Sequence, residues 1–380
     1  MKKVLVLVFS NLRHDARVMR QVHWLRKNFA VTVVCFDADP VPGVTVIKIR
    51  QTKLTPIRKA VLALTLLLRR YRTAYKLLHA YHHLPETLRD SFDLVVANDI
   101  DTLPLAFELK GNAAVLFDAH EYAPRHFENN RVWRTFFQPF YVHLCRTYIP
   151  RTSAMLTVGQ GLADEYHKHF GVRPVIITNA ARYNDIAPSP VKPDAIRLVY
   201  HGIANPSRQL ELLLEMMKHL DERFSLDMFL MVSDFASGRT RHYIETFKAT
   251  AEANPRVSVR PPVSSDEVVA TVNAFDIGVF LLPPVNFNYA NTLPNKLFDF
   301  IQARLGVAIG PTPEMAAIVN SYDNGVVSDD FSPRHLAEKL NALTEEDIVR
   351  FKANSARAAA DLNAEKNEVL FDAVVNDILR

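Results

Sequence analysis

Asn291, Thr292, Leu293, Pro294, Asn295 and Lys296 stand together in NYANTLPNKLFDF (288–300), after the apolar run IGVFLLPPV and ahead of an apolar, helix-like segment. Leu293, Pro294 and Asn295 should form the turn that opens a helix beginning near Lys296. Free backbone N–H groups and the positive end of the helix dipole favour a phosphate at such a turn. Lys296 adds a full charge there, and Asn291, Thr292 and Asn295 add neutral hydrogen bonds. Asp299 follows three residues later on the same helix face, where a carboxylate suits ribose hydroxyls. A capped helix carrying a surface Lys–Asp pair is the alternative reading.

Three other stretches carry reactive or charged groups. In YHGIANPSRQLELLLEMM (200–217) a strand, Gly202 and a short loop lead to Ser207, expected as a helix N-cap, with Arg208 in the first turn. A cation there opposes the helix dipole unless an anion compensates it; otherwise Arg208 is simply exposed. LFDAHEY (116–122) is an apolar strand ending in Asp118, His120 and Glu121. That cluster either faces a ligand or contains a buried histidine bonded to the backbone. SNLRHDARV (10–18) follows the first strand; its His14, Asp15 and Arg17 could touch an acceptor or a phosphate, and Asp15 could equally cap the first helix. NDID (98–101) has a D-x-D spacing, but Asp101 reads as the N-cap of TLPLAFELK, so no metal is expected. No motif supports a Ser/His/Asp or Cys/His nucleophile.

The elements that must position these residues alternate along the chain. VLVLVF, VTVVCF, TVIKIR, LVVAND, AVLFDA, AMLTVG and VIITNA read as strands in the first half, with helical patterns over 17–28, 57–83, 102–109, 131–150 and 160–170. Near-continuous apolar strands alternating with helices predict parallel sheets covered on both faces. Periodicity stops at NDIAPSPVKPDA (184–195), where three prolines accumulate, then resumes with IRLVYHG, LDMFLMV, VSVRPPV, IGVFLL, VAIGP and NGVVSD. The expectation is an α/β chain of two tandem doubly wound, Rossmann-like domains facing a cleft: 1–183, and 184–362 with a C-terminal helix over about 363–380 packing back on the first. Ligands bind at the carboxyl ends of strands in such sheets. Neither G-x-G-x-x-G nor a P-loop is present, which argues against nicotinamide dehydrogenases and P-loop NTPases.

With 380 residues, 48% hydrophobic and 23% charged, the chain is an ordinary globular protein. Two isolated cysteines, Cys35 and Cys145, suit a reducing compartment. The start, MKKVLVLVFS, has too short an apolar run and no small-residue cleavage site, so it reads as a strand. The net charge of +4 divides unevenly: residues 1–182 hold 26 Lys/Arg against 14 Asp/Glu (+12), and residues 183–380 hold 19 against 27 (−8). The first half therefore prefers an anionic surface or substrate. Nucleic-acid binding is not expected, since the second half is acidic and no aromatic–basic interleaving occurs.

Taken together these stretches resemble the GT-B glycosyltransferases, specifically the retaining family four with its bacterial cell-surface polysaccharide members. DARVMRQVHWLRKNFAVTVV is similar to that family's first helix and second strand. LFDAHEY and VIITNA match two further segments, and LPNKLFDFIQARLGVAIGPTPEMAAIV is the most specific match. The resemblance implies that Arg208 and Lys296 grip a nucleotide-sugar diphosphate with the amides of Leu293–Asn295. It implies that Asp299 binds ribose and that His120 lies near the donor sugar, with Arg208, Lys296 and His120 counted as catalytic. Gly202, Asn291 and Thr292 join the donor side; His14, Asp15, Arg17 and Glu121 are acceptor-side candidates. The first glutamate of the family's Glu–seven residues–Glu motif is Asn291 here and the second is Asp299, while SNLRHDAR replaces the glycine-rich first loop. Transfer to a saccharide or lipid-linked acceptor is implied, metal-independent and without a cofactor. A sugar-nucleotide epimerase or a non-catalytic subunit on the same fold are the alternatives.

One helical stretch suggests a location. Val61, Leu64, Leu68, Tyr71, Tyr75 and Leu78 step by three or four over 57–83 and are expected to face the core. Arg58, Arg69, Arg72 and Lys76 would line the opposite side together with Leu62 and Leu66. Such a mixture suits an anionic membrane surface, predicting a cytoplasmic protein peripheral to the inner face of the plasma membrane.

Overall fold

Every aliphatic run named above becomes a strand in the computed structural model, which describes residues 1–79, 84, 88–89, 91–232 and 237–380. The chain divides into two units, residues 1–178 with 286–288 and 368–380, and residues 179–285 with 289–367.

The first unit holds β1 (Lys3–Leu7), β2 (Ala30–Cys35), β3 (Val44–Lys48), β4 (Leu94–Asn98), β5 (Ala114–Ala119), β6 (Ala154–Thr157) and β7 (Val175–Ile176). They form one parallel sheet in the order β3-β2-β1-β4-β5-β6-β7. β4 is buried along its whole length, as expected of a strand covered on both faces. Helices α1 (Ala16–Leu25), α2 (Pro56–Leu67), α3 (Tyr71–Leu78), α4 (Leu103–Leu109), α5 (Arg131–Phe136), α6 (Gln138–Tyr148) and α7 (Gln160–Phe170) connect the strands. Strand order reverses between β1 and β4, so the loops leaving these two strands diverge and open a crevice at their carboxyl ends.

The second unit repeats the plan. β8 (Ile196–Ile203), β9 (Phe224–Met231), β10 (Val257–Arg260), β11 (Ile277–Phe280), β12 (Gly306–Ile309) and β13 (Gly325–Val327) pair in the parallel order β10-β9-β8-β11-β12-β13. Its helices are α8 (Glu211–His219), α9 (Gly238–Glu252), α10 (Val268–Val272), α11 (Phe287–Ala290), α12 (Asn295–Gln302), α13 (Pro313–Tyr322), α14 (Pro333–Asn341) and α15 (Glu345–Asp361). α11 begins among the three residues that belong to the first unit, and α16 (Ala364–Ile378) runs from the second unit into the first. Here the order reverses between β8 and β11. Helix α12 lies so close to β11 that a Cβ on Gly278 would stand 2.3 Å from the Phe300 ring. The proline-rich segment 184–195 has no helix or strand; Ser189 ties it to the second unit, donating to Phe275 O at 3.3 Å.

Two helical expectations change. The pattern over 131–150 splits because Pro139 cannot sit inside a helix and instead occupies the first turn of α6. The pattern over 57–83 breaks at Arg69, whose φ of 54° is left-handed, and residues 80–83 lie outside the described residues. The break also reverses the expected faces of α2. Leu62 and Leu66 are buried in the core, whereas Val61, Leu64 and Leu68 face outward. Only Tyr71, Tyr75 and Leu78, beyond the break, pack against the core as expected.

Candidate functional site

The second unit gathers its charged candidates at the reversal of strand order. β8 ends in Tyr200, His201 and Gly202, and Lys296 reaches back to them from the first turn of α12. The Lys296 ammonium lies 3.7 Å from the Tyr200 ring centroid and 3.9 Å from that of Phe280. It is buried, with no hydrogen-bond partner among the described residues. Burial, with Arg208 nearby, pushes its pKa well below the ordinary lysine value, and Asp299 only partly offsets this. Gly202 has φ +136°, which favours glycine, and a Cβ there would meet Lys296 Nζ at 3.3 Å. The missing side chain leaves the ammonium approachable. Tyr200 Oη is buried beside it without a hydrogen-bond partner among the described residues. Two buried polar atoms without a hydrogen-bond partner thus stand against one glycine, an arrangement that costs desolvation and that few native interiors keep.

Arg208 arrives by a route other than the expected one. Asn205, not Ser207, is the cap: its side chain accepts from Ser207 N at 3.0 Å and opens a single 3-10 turn, Pro206–Arg208. Gln209 then turns left-handed (φ 49°), and α8 starts afresh at Glu211. Arg208 thus sits on the loop, its guanidinium 6.0 Å from the Phe280 ring that also covers Lys296. Ser207 Oγ meets Tyr289 Oη at 2.8 Å instead. Pro294 is the N-cap of α12 and Asn295 its first residue; Leu293 O accepts from Asn179 Nδ2 at 3.2 Å. Asn291 and Thr292 are half-buried in the loop before it.

Asp299 is buried on α12, 3.4 Å from His201 Nε2. His201 belongs to this site and sequence reasoning did not single it out, although it adjoins Gly202. Its ring stands edge-on to Phe300, and burial with Lys296 nearby lowers its pKa to about 3, so it is neutral near pH 7.

The first unit places its candidates at the ends of β1, β4 and β5. Asp118 is fully buried and bound by Arg17 through Nε (2.8 Å) and Nη2 (2.7 Å), and by Gln21. Arg17 Nη1 donates to Ile177 O at 2.6 Å, so the guanidinium is enclosed in a satisfied pair. Burial alone would raise the Asp118 carboxyl; Arg17 and His120 overcome that and hold it below the usual carboxylate range. His120 lies between acids: Nδ1 is 3.4 Å from Asp99 Oδ2, and Nε2 is 3.5 Å from Asp118 Oδ2 and 3.2 Å from Asn98 Oδ1. Burial lowers its pKa, but Asp99 and Asp118 outweigh this and push it up to about 9. Asp99 accepts from His120 N and holds φ 60°, ψ 158°, a conformation L residues avoid. Strain of this kind persists only where surroundings enforce it and gathers at functional sites.

The remaining acceptor-side candidates disperse. Asp15 is the N-cap of α1, accepting from Val18 N and from Ser10 Oγ. His14 is exposed, and Glu121 pairs with His126 at 2.7 Å. Asp101 is not the cap of α4: it lies inside a 3-10 turn, and its carboxylate contacts His79 (3.1 Å) and Tyr141 (3.4 Å). Among the described residues no group of three or more His, Cys, Asp or Glu could hold a metal ion.

No family model and no curated protein matches this sequence. Solved structures do match. Sucrose-phosphate synthase from Thermosynechococcus elongatus superposes with a TM-score of 0.73 at 12% identity, over 100% of this chain and 99% of that one. A trehalose-6-phosphate structure from E. coli, bound with UDP-2-fluoro glucose, gives 0.70 at 9% identity over 100% and 99%. Anabaena HepE in complex with UDP and glucose gives 0.69 at 12% identity over 99% and 100%. The chain therefore has the two-domain α/β fold of GT-B glycosyltransferases.

Proposed function

We propose that this protein is a glycosyltransferase that moves a sugar from a nucleotide-sugar donor to a saccharide or lipid-linked acceptor. The observation that carries the reading is the buried, unpartnered Lys296 ammonium beside Gly202, with Arg208 on the same ring of Phe280. A diphosphate supplies the anion that this corner lacks. Asp299, three residues after Lys296 on α12 and 3.4 Å from His201, is suited to ribose hydroxyls.

Departure of the nucleoside diphosphate builds negative charge on the outer phosphate. Lys296, Arg208 and the first amides of α12 stabilise that charge, preorganised and largely out of water. The reaction is metal-independent and cofactor-free in this reading, because fixed cations do the work. The sequence resemblance favours retention of configuration, with the acceptor hydroxyl attacking on the face the diphosphate leaves. It also favours a role in cell-surface polysaccharide or glycolipid synthesis. His120, charged below about pH 9, is assigned to the transferred sugar. His14 and Glu121 remain acceptor-side candidates, and Asp15 and Arg17 support them through the cap and the buried pair.

The test is release of free nucleoside diphosphate from a panel of nucleotide sugars, with UDP-glucose first because two of the similar structures contain UDP or a UDP-sugar. Release that requires an added saccharide or lipid-linked acceptor supports transfer. Conversion of the donor to an epimer without release would show an isomerase instead, and no turnover or binding with any donor would overturn the assignment.

A further inference from the structure

Helix α2 carries two apolar stripes, and only one is used by the core. Leu62 and Leu66 are buried, while Ile57, Val61, Leu64 and Leu68 step by four, three and four along the opposite side. Ile57 is 77% exposed, Leu64 56% and Leu68 59%; Leu67 adds a further exposed side chain. A soluble helix of ordinary kind buries one such stripe and makes the other polar. Here the exposed apolar row is accompanied by exposed Arg58, Arg69, Arg70 and Arg72. None of these makes an ion pair among the described residues.

The charge around the row is one-sided over a long reach. No Asp or Glu occurs between Asp39 and Glu86, and none between Glu128 and Asp164. Helix α5 lies in that second acid-free stretch and packs beside α2. It presents exposed Arg131, Val132 and Arg134, so it extends the same mixture of cations and apolar tips.

We propose that the outward face of α2, with α5 beside it, docks the protein on an anionic lipid bilayer. Ile57, Val61, Leu64 and Leu68 enter the boundary between headgroups and acyl chains, and the arginines contact lipid phosphates around them. The chemistry selects this occupant over two others. In a symmetric dimer the same patch would face itself, bringing two acid-free cationic surfaces together. A nucleic acid would favour exposed aromatic side chains for stacking, and the row is aliphatic. Among the described residues no helix is long and apolar enough to cross a membrane, so the contact is at the surface. The proposal does not rest on the nucleotide site, which belongs to the other unit.

The experiment is co-sedimentation with vesicles of phosphatidylglycerol and phosphatidylcholine, and with phosphatidylcholine alone, at low and high salt. Three proteins are compared: wild type, Leu64→Gln/Leu68→Gln, and Arg69→Glu/Arg70→Glu/Arg72→Glu. Wild type should bind the anionic vesicles and be released by salt. The glutamine pair should lower binding about tenfold or more although every charge remains, because apolar insertion is lost. The charge reversal should lower it by about a hundredfold or more, given roughly fivefold for each basic residue lost at such a surface and further repulsion from each added glutamate. All substituted side chains are exposed, so thermal melting should be unchanged. Absence of wild-type binding at low salt, or binding untouched by either variant, would overturn the proposal. So would a concentration-dependent dimer that the glutamine pair abolishes, since that assigns the face to a second copy.

Discussion

Each unit buries a cation near the carboxyl ends of its central strands, and the two cations have opposite surroundings. Arg17 is enclosed by Asp118 and the Ile177 carbonyl, with its guanidinium bonded on three nitrogens. Lys296 is equally buried, yet faces two aromatic rings and a glycine, and its ammonium has no hydrogen-bond partner. The ring faces offset part of its desolvation through cation–π attraction but cannot accept its three protons. A satisfied pair holds a fold together; an unsatisfied cation waits for something. That difference separates scaffold from proposed ligand site more sharply than burial or charge does.

Breaking the satisfied pair should have the largest effect on stability. Asp118→Ala leaves Arg17 buried without its counter-charge, and should cost about 3–5 kcal/mol. The urea midpoint of the first unit is the readout; an unchanged midpoint would mean that Arg17 escapes to solvent. A smaller loss is expected from Gly202→Ala, which forces φ +136° on a residue with a side chain and crowds Lys296 Nζ. Strain of that type costs about 1–3 kcal/mol, and nucleotide affinity should fall with it. If stability falls and affinity does not, the opening above Lys296 is not the ligand's path.

Lys296→Met should act in the reverse sense on stability measured without added nucleotide. Replacing an unpaired buried ammonium by an apolar side chain of similar length should stabilise it by about 1 kcal/mol, while nucleotide binding is lost. Equal destabilisation in Lys296→Met and Asp118→Ala would erase the contrast between the two cations. The two histidines sharpen it further, with the smallest effects. His120, raised to about 9, contributes stability that is complete below pH 6.5 and is lost as pH rises through 9. His201, lowered to about 3, contributes stability present above pH 6.5 and lost as pH falls through 3. Wild type should therefore lose ground to His120→Gln only on the alkaline side, and to His201→Gln only on the acid side. A common direction in both would contradict the assigned surroundings.

Much of this arrangement is legible in the sequence because strands buried on both faces are written as uninterrupted aliphatic runs. The turn before Lys296 is equally legible, since Pro294 both caps α12 and forbids an earlier start. Two readings fail where one residue changes the backbone path, and a third where side chains compete. Arg69 turns left-handed and resets the phase of a pattern that looks continuous from 57 to 83. Gln209 does the same after Arg208, so Asn205 caps a short turn and Ser207 caps nothing. Asp101 has the composition of a cap, but His79 and Tyr141 draw its carboxylate aside. His201 escapes notice because a histidine inside an apolar strand has no spacing to mark it; only Asp299, 98 positions later, reveals what it faces.

The central claim is that Lys296 is unpartnered because a diphosphate completes it. Calorimetric titration of UDP and of inorganic pyrophosphate into wild type, Lys296→Met, Arg208→Ala and Asp299→Asn tests this most directly. The account predicts that both anions bind wild type and that Lys296→Met and Arg208→Ala each weaken both, by about 1.5–3 kcal/mol for a charge-assisted contact to a buried phosphate. Asp299→Asn should weaken UDP alone, because pyrophosphate has no ribose. Undiminished binding of both anions to Lys296→Met, or binding of neither to wild type, would contradict it.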